Sequence, residues 1–164
     1  MAYHFLLAEF EDIPQLYEII KKRVRWMDEK GLRQWNTTDY LNVYPPSYFE
    51  DHQRNGRLYK LSNDMGEIAA VMVLLDIDAR WPGYEAMDSY FVHNFATDPA
   101  LNGVGSMMLE EAELLSAKQG KKYLRLDCPI HNNYLNAFYE SRGYIKKGRC
   151  VDGAYTGILR EKKL

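Results

Sequence analysis

The chain has 164 residues, room for one domain with a buried core, and its 46% apolar and 27% charged content is that of an ordinary globular protein. A formal charge of −2 excludes a broad basic face for nucleic acid, and no apolar run approaches the roughly 20 residues of a helical membrane span. No basic leader precedes an apolar stretch, and Cys128 and Cys150 lack metal-type spacing, so a cytoplasmic protein with free thiols is expected.

Residues 3–8 read as a first strand. Asp12 is a candidate N-cap with Pro14 in the first helical turn. Leu16, Ile19, Ile20, Val24 and Met27 then recur at helical spacing, and Gly31 is the stop. Residues 32–46 read as irregular and aromatic, and residues 46–55 as a short helix ended by Gly56. Residues 58–61 and 67–76 are strand-like, with the turn Asn63-Asp64-Met65-Gly66 between them. After the loop Trp81-Pro82-Gly83, residues 88–97 form a third long strand. Val104–Lys118 is expected as a helix that buries Val104, Met107, Met108, Ala112 and Leu115 and closes at Gly120. Residues 123–128 alternate as a strand, residues 135–141 make a short helix stopped at Gly143, and residues 144–149 and 155–159 read as a terminal strand pair. This order predicts a mixed α/β (α+β) fold in a single domain, residues 1–164.

The most informative stretch is Asn102-Gly103-Val104-Gly105-Ser106, which joins a strand to a helix. Two residues without Cβ let backbone approach a ligand closely, and the free N–H groups of a helix N-terminus favour an anion, usually phosphate. A plain strand–helix turn would use the same glycines. The second informative segment runs from Asn132 to Tyr144, with Asn132, Leu135, Phe138, Tyr139 and Gly143 at fixed offsets.

Taken together the two segments resemble the GCN5-related N-acetyltransferase (GNAT) superfamily over residues 90–149. Its coenzyme signature, Gln/Arg-x-x-Gly-x-Gly/Ala, falls on Ala100-Leu101-Asn102-Gly103-Val104-Gly105. Its second signature, Asn-x-x-Leu/Ala-x-x-Phe-Tyr followed by Gly-Phe/Tyr, falls on Asn132, Leu135, Phe138, Tyr139, Gly143 and Tyr144. Ala100 departs from the usual Gln or Arg, and Asn102 stands where a basic residue is frequent, which leaves a pyrophosphate to backbone N–H groups and the helix dipole. The resemblance implies a central, mostly antiparallel sheet of about six to seven strands with flanking helices.

It also implies acetyl-CoA as co-substrate, with no metal. Phe95, Ala96 and Thr97 would offer strand-edge backbone to the pantetheine arm, one N–H polarising the thioester carbonyl and holding the oxyanion that forms there. Asn102, Gly103, Val104, Gly105 and Ser106 would hold the pyrophosphate, and Asn132, Leu135 and Tyr139 would complete the coenzyme site. Asn132 equally suits a helix cap. Tyr139 is the candidate acid for the departing thiolate, the alternative being a core tyrosine. The incoming amine must lose a proton. His93, in the strand leading to Phe95, is a candidate base, with Asp127 on the neighbouring strand as another and ordered water as a third. His93 also suits a structural role.

Trp35, Tyr40, Trp81 and Glu85 fall in regions that flank the acceptor cleft in this superfamily, and Asp76, Asp78 and Asp88 add acidity there or form a solvated loop. Cys128 reads as a buried strand residue, because direct transfer in a ternary complex needs no nucleophilic thiol. The expected partner is a small-molecule primary amine, with neither nucleic acid nor membrane, and a homodimer is compatible with the sequence. The rival readings are a protein N-α or lysine acetyltransferase and a catalytically silent acyl-CoA-binding or sensing module.

Overall fold

The apolar periodicity that begins at Ile13 produces a seventeen-residue helix, α1 (Ile13–Glu29), in a computed structural model that describes residues 1–164. Leu16, Ile19, Ile20 and Met27 are its buried stripe, and Pro14 sits in the first turn, where its missing N–H costs nothing. Before α1 lies β1 (Tyr3–Leu7). Residues 32–46, expected to be irregular, instead contain a 3₁₀ turn (Trp35–Thr37) and a four-residue helix, α2 (Tyr40–Val43). Asp39, at φ 56°, turns the chain immediately before α2. A single helical turn is too short to show a period in sequence. Helix α3 (Pro46–Arg54) follows as expected.

The turn at Asn63 joins β2 (Leu58–Asn63) to β3 (Ile68–Leu75). The Asn63 side-chain oxygen accepts from the N–H groups of Met65 and Glu67, both at 3.0 Å, so the side chain shapes its own turn. β3 is apolar throughout and buried on both faces, the pattern of an interior strand. The later elements are β4 (Ser89–Thr97), α4 (Val104–Lys118), β5 (Tyr123–Pro129), α5 (Asn133–Glu140), β6 (Ile145–Asp152) and β7 (Tyr155–Lys163). The strand order is β1-β2-β3-β4-β5-β7-β6 in one seven-stranded, mostly antiparallel sheet. β4 and β5 pair in parallel, Ser89 opposite Tyr123 through Phe91 opposite Arg125. No helix is long and apolar enough to cross a membrane.

Contacts divide the chain into two compact units, Met1–Leu74 with Asn94–Glu111, and Leu75–His93 with Ala112–Leu164. The first holds β1, α1, α2, α3, β2, β3, the end of β4 and the start of α4. The second holds the start of β4, the end of α4, β5, α5, β6 and β7. The buried face of α4 differs from expectation. Val104, Met108, Leu109, Ala112 and Ser116 are buried, while Met107 is 45% exposed. Leu109 lies outside the expected stripe, and tertiary packing turns the buried face of α4 towards it and away from Met107. Ser116 is tolerated inside because its hydroxyl donates to the Ala112 carbonyl one turn back, at 2.7 Å.

The second unit is organised around a buried charge. Arg125, on β5, donates from Nε to Glu161 Oε2 at 2.8 Å, and from Nη1 to Ser89 Oγ and to the Glu85 carbonyl, each at 2.9 Å. Its guanidinium lies over the rings of Tyr84 and Tyr123, with centroids at 4.9 and 5.1 Å. Trp81, Phe91, Cys150 and Leu159 form the apolar cluster of this unit. Removing one partner of such a pair strands the other charge, so Arg125→Ala is expected to lower unfolding stability by about 3–5 kcal/mol. The double replacement Arg125→Met/Glu161→Leu should lose much less. Urea unfolding monitored by circular dichroism checks both, and an equal loss in the two variants contradicts the stranded-charge account.

Candidate active site

In the first unit, β4 ends at Thr97 and the chain turns through Asp98-Pro99 into the glycine pair. Asp98 Oδ1 accepts from the Ala100 N–H at 3.0 Å, and Oδ2 meets Lys22 Nζ at 2.9 Å. Partial burial pushes the Asp98 carboxyl up, but Lys22 and the Ala100 N–H outweigh it and hold it below the usual carboxylate range. Arg23 donates to the Thr97 carbonyl from Nε (3.1 Å) and Nη2 (2.9 Å), and to Thr97 Oγ1 at 2.5 Å. α1 therefore fixes the end of β4 with two adjacent basic residues. Sequence reasoning missed both, and the signal it passed over was the run Lys21-Lys22-Arg23.

Gly103 has φ +79°, a torsion that a side chain resists, with open space where a Cβ would stand. At Gly105 a Cβ would lie 3.6 Å from Thr97 Cγ2, an ordinary contact. Val104 is buried and anchors the helix, Asn102 is exposed, and Ser106 is half-buried. Helix geometry leaves the N–H groups of Val104 and Gly105, which open α4, without a carbonyl one turn back. Backbone N–H groups and a glycine with open space beside it, at a strand–helix turn, are an arrangement that suits a phosphate. Upstream in the same unit, Asn94 takes φ 52° inside β4. Its Nδ2 donates to Tyr40 Oη at 2.7 Å and its Oδ1 accepts from the Tyr48 hydroxyl at 2.8 Å. Phe95, Ala96 and Thr97 follow directly.

Of the aromatic residues expected at an acceptor, Trp35 stacks on Tyr40 at 4.2 Å. Tyr40 itself is buried, and its hydroxyl is engaged by Asn94. In the second unit Trp81 is 3% exposed and packs on Phe91 and Tyr84. Tyr40 and Trp81, expected to line a cleft, are instead buried, each ring packed against its neighbours. Glu85 is exposed, and its carbonyl serves Arg125.

The same unit gathers the two candidate bases with a third residue. His93 Nε2 lies 2.6 Å from Asp78 Oδ2, and Asp78 Oδ1 accepts from the Arg80 N–H at 2.9 Å. Burial raises the Asp78 carboxyl, but His93 and Arg80 hold it below its ordinary value, so it is ionised. An ionised Asp78 accepts a hydrogen bond from the Nε2–H of His93, the tautomer in which Nδ1 carries the lone pair. Asp127 Oδ2 accepts from the Tyr155 hydroxyl at 2.5 Å and from Arg80 Nη1 at 3.3 Å, and Arg80 Nη2 reaches Asp152 at 2.9 Å. Ligand-type atoms of Asp78, His93 and Asp127 lie within 4.8 Å of one another. Gly157 opposes this network: a Cβ there would stand 2.6 Å from the Tyr155 hydroxyl oxygen and 2.9 Å from Cys150 Sγ.

Tyr139, on α5, is 6% exposed, with Phe138 and Tyr144 edge-on to its ring. Burial, with Cys128 and Asp127 adding to it, drives its phenol far above the ordinary value, so it keeps its proton at neutral pH. Asn132 caps α5, its Oδ1 accepting from the Leu135 N–H at 2.9 Å. Cys128 is buried, donates to Asn136 Oδ1 at 3.2 Å, and has its thiol pushed up by burial to about 11, which suits no nucleophile.

The profile of the acetyltransferase (GNAT) family matches residues 21–144. The chain is 26% identical over 166 residues to the uncharacterized N-acetyltransferase YesJ of Bacillus subtilis (strain 168), covering 96% of this chain and 88% of that protein. Among solved structures, a GNAT-family acetyltransferase from Listeria monocytogenes 4b F2365 superposes with TM-score 0.81 at 23% identity, covering 99% of this chain and 95% of that one. The PaiA N-acetyltransferase of Thermoplasma acidophilum, solved with coenzyme A, gives TM-score 0.75 at 18% identity with both chains fully covered. With a family profile spanning three quarters of its length and the family's fold throughout, the chain belongs to the GNAT acetyltransferase family and is an acetyl-CoA-dependent N-acetyltransferase.

Proposed function

We propose that the enzyme transfers the acetyl group of acetyl-CoA directly to a small cationic amine. The observation that carries the acceptor class is the convergence of Asp78, His93 and Asp127. Two carboxylates beside an imidazole attract an ammonium and give its proton a destination, His93 Nδ1, which the Asp78 hydrogen bond orients. The formal charge of −2 does not favour nucleic acid as the acceptor. Acetyl-CoA supplies an activated thioester. The Gly103–Ser106 backbone binds its pyrophosphate, Phe95, Ala96 and Thr97 bind the pantetheine arm, and an N–H there polarises the thioester carbonyl. The PaiA relative, solved with coenzyme A, supports this assignment. Tyr139, protonated at neutral pH, donates to the leaving sulfur. Asn132 acts by capping α5 and so setting the start of the helix that carries Tyr139.

The acceptor class is tested by thiol release from acetyl-CoA across a panel of small amines beside peptides with free N-termini and lysines. Small amines are expected to be acetylated and peptides not; the opposite pattern assigns the enzyme to protein substrates.

The cradle is tested at Gly105. A Cβ fits there, the family signature itself admits alanine, and alanine in a helix is favoured over glycine by about 0.5–1 kcal/mol, so Gly105→Ala should melt no lower than the parent and keep its acetyl-CoA affinity. The bulkier Gly105→Val, which puts two methyl groups over the turn, is expected to lose acetyl-CoA affinity tenfold or more by calorimetry. Unchanged affinity in a folded Gly105→Val removes Gly105 from the coenzyme site. Tyr139→Phe keeps the ring and loses only the donor. Its kcat is expected to fall by about 10²–10⁴-fold, with coenzyme affinity within twofold of the parent in steady-state and binding measurements. Parental kcat under chemistry-limited conditions makes Tyr139 a packing residue.

A further inference from the structure

Two non-glycine residues have left-handed backbone, Asp39 and Asn94, and Asn94 stands inside a strand. Asparagine visits this region more readily than most residues but does not prefer it to the extended one. Something must hold it there. Both ends of its side-chain amide are engaged, Nδ2 by Tyr40 and Oδ1 by Tyr48. The two tyrosines come from consecutive helices, α2 and α3, and their rings are themselves confined. Tyr40 lies between Trp35, stacked at 4.2 Å, and Tyr44 at 4.7 Å. Tyr48 is edge-on to Tyr44, Phe49 and His52, the last at 4.5 Å. Asn94 is 8% exposed, so water does not compete for the amide.

The backbone torsions at Asn94 determine where the next peptide N–H, that of Phe95, points. We propose that Tyr40 and Tyr48 are positioning residues for acetyl transfer: by gripping both ends of the Asn94 side chain they lock the left-handed break in β4 and aim the Phe95 N–H at the thioester carbonyl. The proposal rests on the coenzyme reading above. Packing alone would not need the hydroxyls, since phenylalanine fills the same space. A left-handed torsion alone would not need asparagine, since glycine adopts it without strain. Two hydroxyls converging on one amide specify a single orientation, which a directional donor requires.

The test uses the double variant Tyr40→Phe/Tyr48→Phe, which keeps both rings. Isotope-edited infrared spectroscopy of acetyl-CoA labelled with ¹³C at the thioester carbonyl reads polarisation without any acceptor. The wild-type complex is expected to show the carbonyl band below its free position. In the double variant the band should return towards the free position and kcat should fall by about tenfold or more. The calorimetric Kd for coenzyme A, which lacks the carbonyl, should change less than twofold. A folded double variant with the wild-type band and wild-type kcat overturns the proposal. If that variant fails to fold, Asn94→Gly serves, because it keeps the torsion and loses the grip: a broadened band nearer the free position supports the proposal, and the wild-type band overturns it. Wild-type protein that binds neither coenzyme A nor acetyl-CoA fails differently, since it removes the coenzyme reading and the grip with it.

Discussion

A strand residue at φ 52° rotates its peptide out of the pleat, and a strand so broken keeps its course only when side chains on either hand insist on it. In the first unit that insistence comes from two directions. The tyrosines of α2 and α3 hold Asn94, and Arg23 of α1 holds the Thr97 carbonyl three residues later. The backbone between these two fastenings is the segment assigned to the coenzyme's thioester arm. The aromatic abundance of residues 35–49 is thereby explained as scaffolding: a ladder of rings immobilises two hydroxyls, and rings with only two rotatable torsions do so at low entropic cost.

The second unit solves a different problem, the placing of several charges at or below its surface. Arg125 with Glu161, Arg80 with Asp127 and Asp152, and Asp78 with His93 leave these formal charges facing opposite or polar partners. A buried carboxylate alone would protonate. The pairing keeps Asp78 ionised, and an ionised Asp78 fixes the tautomer of His93. The orientation of the His93 ring is thus a property of the network around it.

Most elements could be read from local signals: the stripe of α1, the Asn63 turn, the glycine pair before α4 and the Asn132 cap all depend on residues a few positions apart. The family signatures are local in the same sense. What was not legible depends on distant residues. Asp78 and His93 are 15 residues apart, and Asp127 lies 34 further on, so spacing could not unite them. Tyr40 looked like a cleft residue because its partner, Asn94, is 54 positions away. Trp81 carried the same ambiguity, since a tryptophan in a Pro-Gly loop suits a lid or a core, and only the cluster with Phe91, Cys150 and Leu159 decides. On α4 the expected stripe held Met107, and tertiary packing turned the buried face to Leu109 instead.

The absence of a side chain at Gly157 has a reach beyond its own position. No atom other than hydrogen fits there, because the Tyr155 hydroxyl and the Cys150 sulfur already occupy the volume. Even alanine would push the phenol away from Asp127 and deprive that carboxylate of its shortest hydrogen bond. Asp127 would then lean on Arg80, which also serves Asp152 and whose N–H serves Asp78. A residue with no functional group therefore decides whether Asp127 keeps its phenol donor, for a reason that is purely volumetric.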